Sequence, residues 1–194
     1  MAVSLDRDDI IAGLAELVAE LHQLRETAGI RLVGGAALAL RYFDRGTTQD
    51  LDSLHVRPGS DDVVAGAAAK VARRHGWNDD WLNFAVEQTG SVPTLGERVV
   101  RWETVYDRAG VAIQIASADA LLAMKLRAHR PGRDTNDIRQ LLSLCGIGTL
   151  EGAEELFESF YPGDSLADRA VAIVTRILEA GLPEKPPSPG PILL

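Results

Sequence analysis

The sequence predicts an α+β fold with a helical C-terminal part. Three observations carry this expectation. Short apolar runs bounded by turn residues lie between helical patterns in the first half, a hairpin signal covers residues 98–116, and helical periodicity continues from Ser117 onward. The order is helix, strand, helix, strand, helix, hairpin, then helices. That order suits an α/β or α+β core with a helical C-terminal part, and α+β is the expectation carried forward.

Residues Leu5 to Ala28 read as an amphipathic helix, because Ile10, Ile11, Leu14, Leu17, Val18, Leu21 and Leu24 recur at helical spacing. Asp6, Asp8 and Asp9 load its positive end, and Gly29 is placed to stop it. Ile30 to Val33 is a short buried strand between glycines, followed by Gly34-Gly35 and a helix from Ala36 to Tyr42. Gln49 to Val56 alternates with a period of two and reads as the second strand. Arg57-Pro58-Gly59-Ser60 is a turn, with Ser60 as N-cap of a helix from Asp61 to His75. Trp77 to Pro93 has no regular pattern.

Arg98 to Tyr106 and Val111 to Ala116, joined through Asp107-Arg108-Ala109-Gly110, predict an antiparallel hairpin. Ser117 is placed to cap a helix from Ala118 to about Ala128, and further helices are expected at Asp134 to Leu144, Leu150 to Phe160 and Ser165 to Ala180. The segment from Pro183 to Leu194 holds five of the nine prolines. It is expected to be a flexible, extended or disordered tail. Residues 1–117 are thus the expected core, 118–182 a helical part packed on it, and 183–194 the tail.

Composition narrows the function classes. At 194 residues, with 46% hydrophobic and 25% charged, the chain has enough apolar material for a core. Its single cysteine, Cys145, excludes an intramolecular disulfide and a cysteine-based zinc site, which fits a reducing cytoplasm. No apolar run approaches the roughly 18 to 20 residues that span a bilayer, and Met1 to Asp9 lacks the basic, then apolar, pattern of a signal peptide. A cytoplasmic protein without membrane partners is expected. The net charge of −8 speaks against non-specific gripping of nucleic acid, without excluding a local basic patch.

The chemistry concentrates in Leu32-Val33-Gly34-Gly35-Ala36-Ala37 and Thr48-Gln49-Asp50-Leu51-Asp52. On a strand, Thr48, Asp50 and Asp52 face one way and Leu51 the other. Two carboxylates this close repel each other unless something compensates them, and Mg²⁺ is typically held by one or two carboxylates plus substrate phosphates. A glycine pair at a helix start lets backbone approach a ligand, and the unpaired N–H groups there favour phosphate. An anion site beside a cation site is what metal–triphosphate chemistry requires.

These residues resemble the signature of the DNA polymerase β-like nucleotidyltransferase superfamily. More narrowly, they are similar to minimal nucleotidyltransferases that include AbiEii/MenT-type toxins of toxin–antitoxin systems. A second block adds to the likeness: Leu121-Leu122-Ala123-Met124-Lys125-Leu126, Ala128 and Arg130, then Arg133-Asp134, Asp137-Ile138 and Leu141. Trp81-Leu82-Asn83 also resembles a segment of some members. The likeness runs from about Gly29 to Leu142.

The resemblance implies a mixed β-sheet core flanked by helices, and Mg²⁺- or Mn²⁺-dependent transfer of a nucleoside monophosphate from NTP to a hydroxyl. In the toxin branch it implies the 3′ end of tRNA as acceptor and a cognate antitoxin as partner. By position, Gly34, Gly35 and Thr48 would hold the triphosphate, and Asp50 and Asp52 the metal. Lys125 would neutralise phosphate charge, and Asp137 would act as base or orienting group for the hydroxyl.

Two departures from the family pattern stand out. A third carboxylate is expected on a later strand, where this chain has Gln114, which is no anionic ligand; Asp107, Asp134 or Asp137 are the possible substitutes. The position two before Thr48, often arginine in the group, is Gly46, and Arg45 is one residue off. Gln114 keeps alternatives open: a nucleotide-binding antitoxin or regulatory protein without turnover, or a transferase acting on a protein or small molecule.

Blander readings apply to several of these residues. Lys125 among apolar neighbours also suits a lysine snorkelling from an amphipathic helix. Asp134 suits an N-cap after the Arg130-Pro131-Gly132-Arg133 turn, and Asp137 suits the first turn of a helix. Arg127, Arg130, Arg133 and Arg139, with Lys125 and His129, would serve an RNA backbone or a solvated, salt-bridged face. The four histidines show no metal-ligand spacing, His55 is expected to point away from the Asp50/Asp52 face, and Trp77 and Trp81 suit packing.

Overall fold

A computed structural model describes residues 4–56, 59–94 and 96–194, without the His55 side chain. The expected turn at Arg57-Pro58 and the expected orientation of His55 lie outside the described residues. The architecture is mixed α and β, with one five-stranded sheet and seven α-helices among the described residues. The chain divides into two compact units. The first comprises Met1–Thr89, Trp102–Ala116 and Ser188–Leu194, and the second Gly90–Arg101 and Ser117–Pro187. The expected boundary after residue 117 therefore captures only one of the chain's passages between units: residues 90–101 group with the helical unit, and the tail is shared between the two.

The first unit opens with α1 (Arg7–Leu24). Asp6 caps it by accepting from the Asp9 backbone at 2.9 Å, while the Asp9 carboxylate accepts from the Asp6 backbone at 3.1 Å. The helix ends four residues before the expected stop, because Arg25 takes the left-handed conformation at φ 57° and Ala28 already belongs to a strand. β1 (Ala28–Leu32) leads into α2 (Gly34–Arg41), and then come β2 (Leu51–Val56) and α3 (Asp61–His75). The segment expected to be irregular contains a two-residue strand, β3 (Leu82–Asn83), and a short 3-10 turn from Ala85 to Thr89. β4 (Trp102–Arg108) and β5 (Val111–Ala116) form the expected hairpin. Its two-residue turn, Ala109-Gly110, has positive φ at both positions (47° and 83°), the twist that suits hairpin strands.

The sheet order is β3-β2-β1-β5-β4, with β1 antiparallel to β2 and parallel to β5. Alternation sorts each central strand into two faces. Ile30, Leu32, Leu51, Ile113 and Ile115 are fully buried on one face, where α1 and α2 pack. Each such side chain contributes about 1.5 to 3 kcal/mol by leaving water. Arg31, Asp52, Leu54 and Gln114 belong to the opposite face and are only partly buried.

The second unit holds α4 (Ala118–Ala128), α5 (Thr135–Cys145), α6 (Leu150–Phe160) and α7 (Asp168–Ala180). α4 is buried continuously from Asp119 to Leu126, as the central helix of a bundle is. α6 starts where Thr149 accepts from the Gly152 backbone at 3.1 Å. Residues 183–194 form no helix or strand. The Ser143 hydroxyl donates to the Pro183 carbonyl within the second unit. Within the first, Arg7 Nη2 donates to the carbonyls of Gly190 and Pro191, each at 3.0 Å. Among the described residues no helix is long and apolar enough to cross a membrane.

Candidate functional site

The residues singled out in the sequence fall into two groups, one in each unit. In the first unit, β1 ends at Leu32 and the chain turns into α2 through Val33 and the glycine pair. The Val33 N–H donates to the Asp52 carbonyl at 3.0 Å, which ties the turn to the start of β2. Gly34 has φ +65°, a conformation that L side chains rarely adopt. A Cβ added there would also meet Asp52 Oδ2 at 2.6 Å. The backbone at Gly34 is thus packed directly against the Asp52 carboxylate, and only glycine satisfies both the angle and the space.

Gly35 faces the other side of the turn. A Cβ on it would meet the Arg45 guanidinium at 2.8 Å and Thr48 Oγ1 at 3.0 Å. Arg45 Nη1 donates to the Thr47 carbonyl at 3.0 Å, and the Thr48 hydroxyl donates to the Asp50 carbonyl at 3.2 Å. The structure therefore brings a guanidinium to the glycine loop from Arg45, the residue that spacing placed one position off. The sequence offered the residue type but not the contact, because the loop from Phe43 to Thr47 is irregular.

The periodicity argument needs one correction. The strand expected from Gln49 begins at Leu51, so alternation orients Asp52 but not Thr48 or Asp50. Thr48 instead pairs with Leu5 through backbone bonds of 2.7 and 2.9 Å, and the chain bends at Gln49. Thr48 is buried, Leu51 is fully buried as expected, and Asp50 and Asp52 are half-buried. Asn83, at the Trp81-Leu82-Asn83 segment, lies opposite Asp52 in the parallel β2–β3 register. Trp81 is a packing residue whose Nε1 donates to the Ala68 carbonyl at 2.9 Å.

In the second unit Lys125 is not a snorkelling lysine. It is 4% exposed, and its ammonium contacts Asp134 Oδ1 at 2.7 Å and Asp137 Oδ2 at 2.8 Å. Asp134 stands at the N-cap position of α5, yet its carboxylate makes no capping bond. Its oxygens accept instead from Lys125 Nζ and from the backbone and side chain of Arg130. Burial would raise the Asp134 carboxyl, but the hydrogen bonds from Arg130 and Lys125 outweigh it and hold the group down at about 2. Lys125, Asp134 and Asp137 thus form a buried cluster, and the exposed Arg130 side chain caps it and balances its charge. Arg127 pairs with Asp164 at 2.6 Å and Arg130 with Asp134, so this part of the basic stretch is salt-bridged, whereas Arg133 and Arg139 are exposed.

Gln114, found where a third carboxylate was expected, lies directly across from Arg31 on β1. Its Oε1 accepts from Arg31 Nε at 2.9 Å and its Nε2 donates to Thr104 Oγ1 at 3.1 Å. Arg31 escaped the sequence reading because its partner lies in a strand more than eighty residues away. Among the described residues no group of three or more His, Cys, Asp or Glu side chains is placed to hold a metal ion. No family model, curated protein or solved structure matches the chain.

Proposed function

We propose that this protein is a metal-dependent nucleotidyltransferase, moving a nucleoside monophosphate from an NTP to an acceptor hydroxyl with release of pyrophosphate. One observation carries the reading: the backbone at Gly34 packs against the Asp52 carboxylate, while Gly35 faces Arg45 and Thr48. That juxtaposition sets a guanidinium and a carboxylate on either side of one glycine turn. Phosphoryl-type transfer depends chiefly on such positioning and charge neutralisation.

The donor set suits Mg²⁺ or Mn²⁺ held in part by substrate. Asp50 and Asp52 supply two hard oxygen donors, and Mg²⁺ commonly takes one or two carboxylates with phosphates and water completing the shell. Bound there, the ion would polarise the phosphate under attack and offset its charge. Gly34 and Gly35 would admit the triphosphate, with Arg45 and Thr48 holding it.

The resemblance points to tRNA as acceptor and to a toxin role with a cognate antitoxin. The test mixes the protein with labelled NTPs, Mg²⁺ and total tRNA. RNA becomes labelled and Asp52→Ala abolishes the labelling; no transfer to any RNA, protein or small molecule would overturn the proposal. Gln114 favours a second reading, a nucleotide-binding regulatory protein without turnover, since a neutral amide stands where the family pattern expects a carboxylate. Calorimetry separates the two: NTP and Mg²⁺ binding without pyrophosphate release supports the second.

A further inference from the structure

The sheet carries a polar cluster that the proposed reaction does not use. Arg31 Nε donates to Gln114 Oε1 at 2.9 Å, Gln114 Nε2 donates to Thr104 Oγ1, and the guanidinium lies 4.7 Å from the centre of the Trp102 ring. Each of these contacts orients the arginine and none cancels its charge. Arg41, Arg74, Arg127 and Arg130 pair with carboxylates, whereas among the described residues Arg31 has no such ion pair. A half-buried cation held only by a neutral amide and an aromatic face retains a strong demand for an anion. Its Nη1 and Nη2 donors form the planar fork that matches phosphate oxygens. Glutamate at position 114 would supply the missing charge; glutamine orients Arg31 and leaves it uncompensated.

Register fixes where this cation stands. Arg31 pairs with Leu54 across β1 and β2, and Leu54 shares its face with Asp52. Arg31 and Asp52 are therefore diagonal neighbours, about 7 to 8 Å apart. Gly34 meets Asp52 from just past the same end of β1, where the Val33 N–H bonds the Asp52 carbonyl. Asp52 stands between the glycine loop and Arg31.

We propose that Arg31 grips a phosphate of the acceptor on the side of Asp52 away from the glycine loop, with Gln114 and Trp102 as its positioning residues. The assignment rests on the nucleotidyltransferase reading: with donor phosphates at Gly34-Gly35, an in-line displacement brings the acceptor in from the opposite side. It selects an acceptor with a phosphodiester beside the reacting hydroxyl, as at the 3′ end of a nucleic acid, over a neutral small molecule.

The test titrates the full chain by calorimetry with an RNA trinucleotide, with adenosine as the neutral control, and separately with ATP and Mg²⁺. Arg31→Gln and Gln114→Glu are each expected to weaken trinucleotide binding at least about tenfold, the loss of one charge-assisted contact. Arg31→Gln is expected to leave the ATP affinity within about twofold, because only the acceptor side is changed. Gln114→Glu is the decisive variant, since it keeps the side-chain shape and sets a carboxylate against the guanidinium; it carries the test if Arg31→Gln unfolds. Equal trinucleotide affinity in wild type and Gln114→Glu, or a wild type that binds the trinucleotide no tighter than adenosine, overturns the assignment while leaving the reaction class standing. Failure of the wild type to bind ATP with Mg²⁺ is a different result and removes both proposals.

Discussion

A Cβ placed on Gly34 would come within 2.6 Å of Asp52 Oδ2, at a backbone φ of +65°. Gly34→Ala therefore combines a left-handed backbone penalty of about 1 to 2 kcal/mol with displacement of the carboxylate. The expected result is a fall in Tm of roughly 2 to 8 °C and a loss of nucleotide transfer far larger than that fall explains. Thermal unfolding and a transfer assay on the same preparation check it; full transfer activity in the folded variant would sink the idea.

Much of this arrangement was legible in the residues themselves. α3, α4 and β5 have the ends that periodicity and turn residues predict, although Ser60 and Ser117 stand at the N-cap positions without a side-chain capping bond. α1 ended early because an arginine, not a glycine, takes the left-handed position at its end. β2 began late because Thr48 pairs with Leu5, a contact that no local pattern reveals. The glycine pair and Asp52 were readable as one motif. Lys125 and Asp137 were readable as residues, but the bond between them was not, since it depends on how α4 and α5 pack.

Arg45 lies against Gly35, so Arg45→Ala is expected to raise the KM for NTP about tenfold, as loss of a charged hydrogen bond does, with little change in Tm. Steady-state kinetics at saturating acceptor, beside a melting curve, measure this. An unchanged KM would remove Arg45 from the triphosphate site.

Lys125→Met keeps the length of the side chain and takes the shared ammonium from two buried carboxylates, Asp134 at 0% and Asp137 at 2% exposure. Removing one partner of a buried ion pair costs about 3 to 5 kcal/mol. A Tm lower by roughly 6 to 20 °C is expected, with part of it regained in the triple variant that adds Asp134→Asn and Asp137→Asn. Denaturant titration of the three proteins decides it, and a Lys125→Met protein as stable as wild type would contradict a buried cluster.

Acid should act through the same cluster. The Asp134 carboxyl is held at about 2, below its ordinary 3.8, so the folded state favours the ionised form. This contribution, of about 2 kcal/mol, is fully present above pH 4 and is lost as the pH falls through 2. Between pH 5 and pH 2 the stability of wild type should fall more steeply than that of Asp134→Asn, which has no proton to gain there. Parallel slopes for the two proteins would assign the acid sensitivity elsewhere.

The chain passes from the first unit to the second at residue 90, back at 102, over again at 117 and home at 188. Neither unit is one continuous stretch of the gene. A fragment cut after residue 117 would keep 90–101 without the helices they group with, and would lose the tail segment whose carbonyls Arg7 binds. No single cut therefore releases either unit whole.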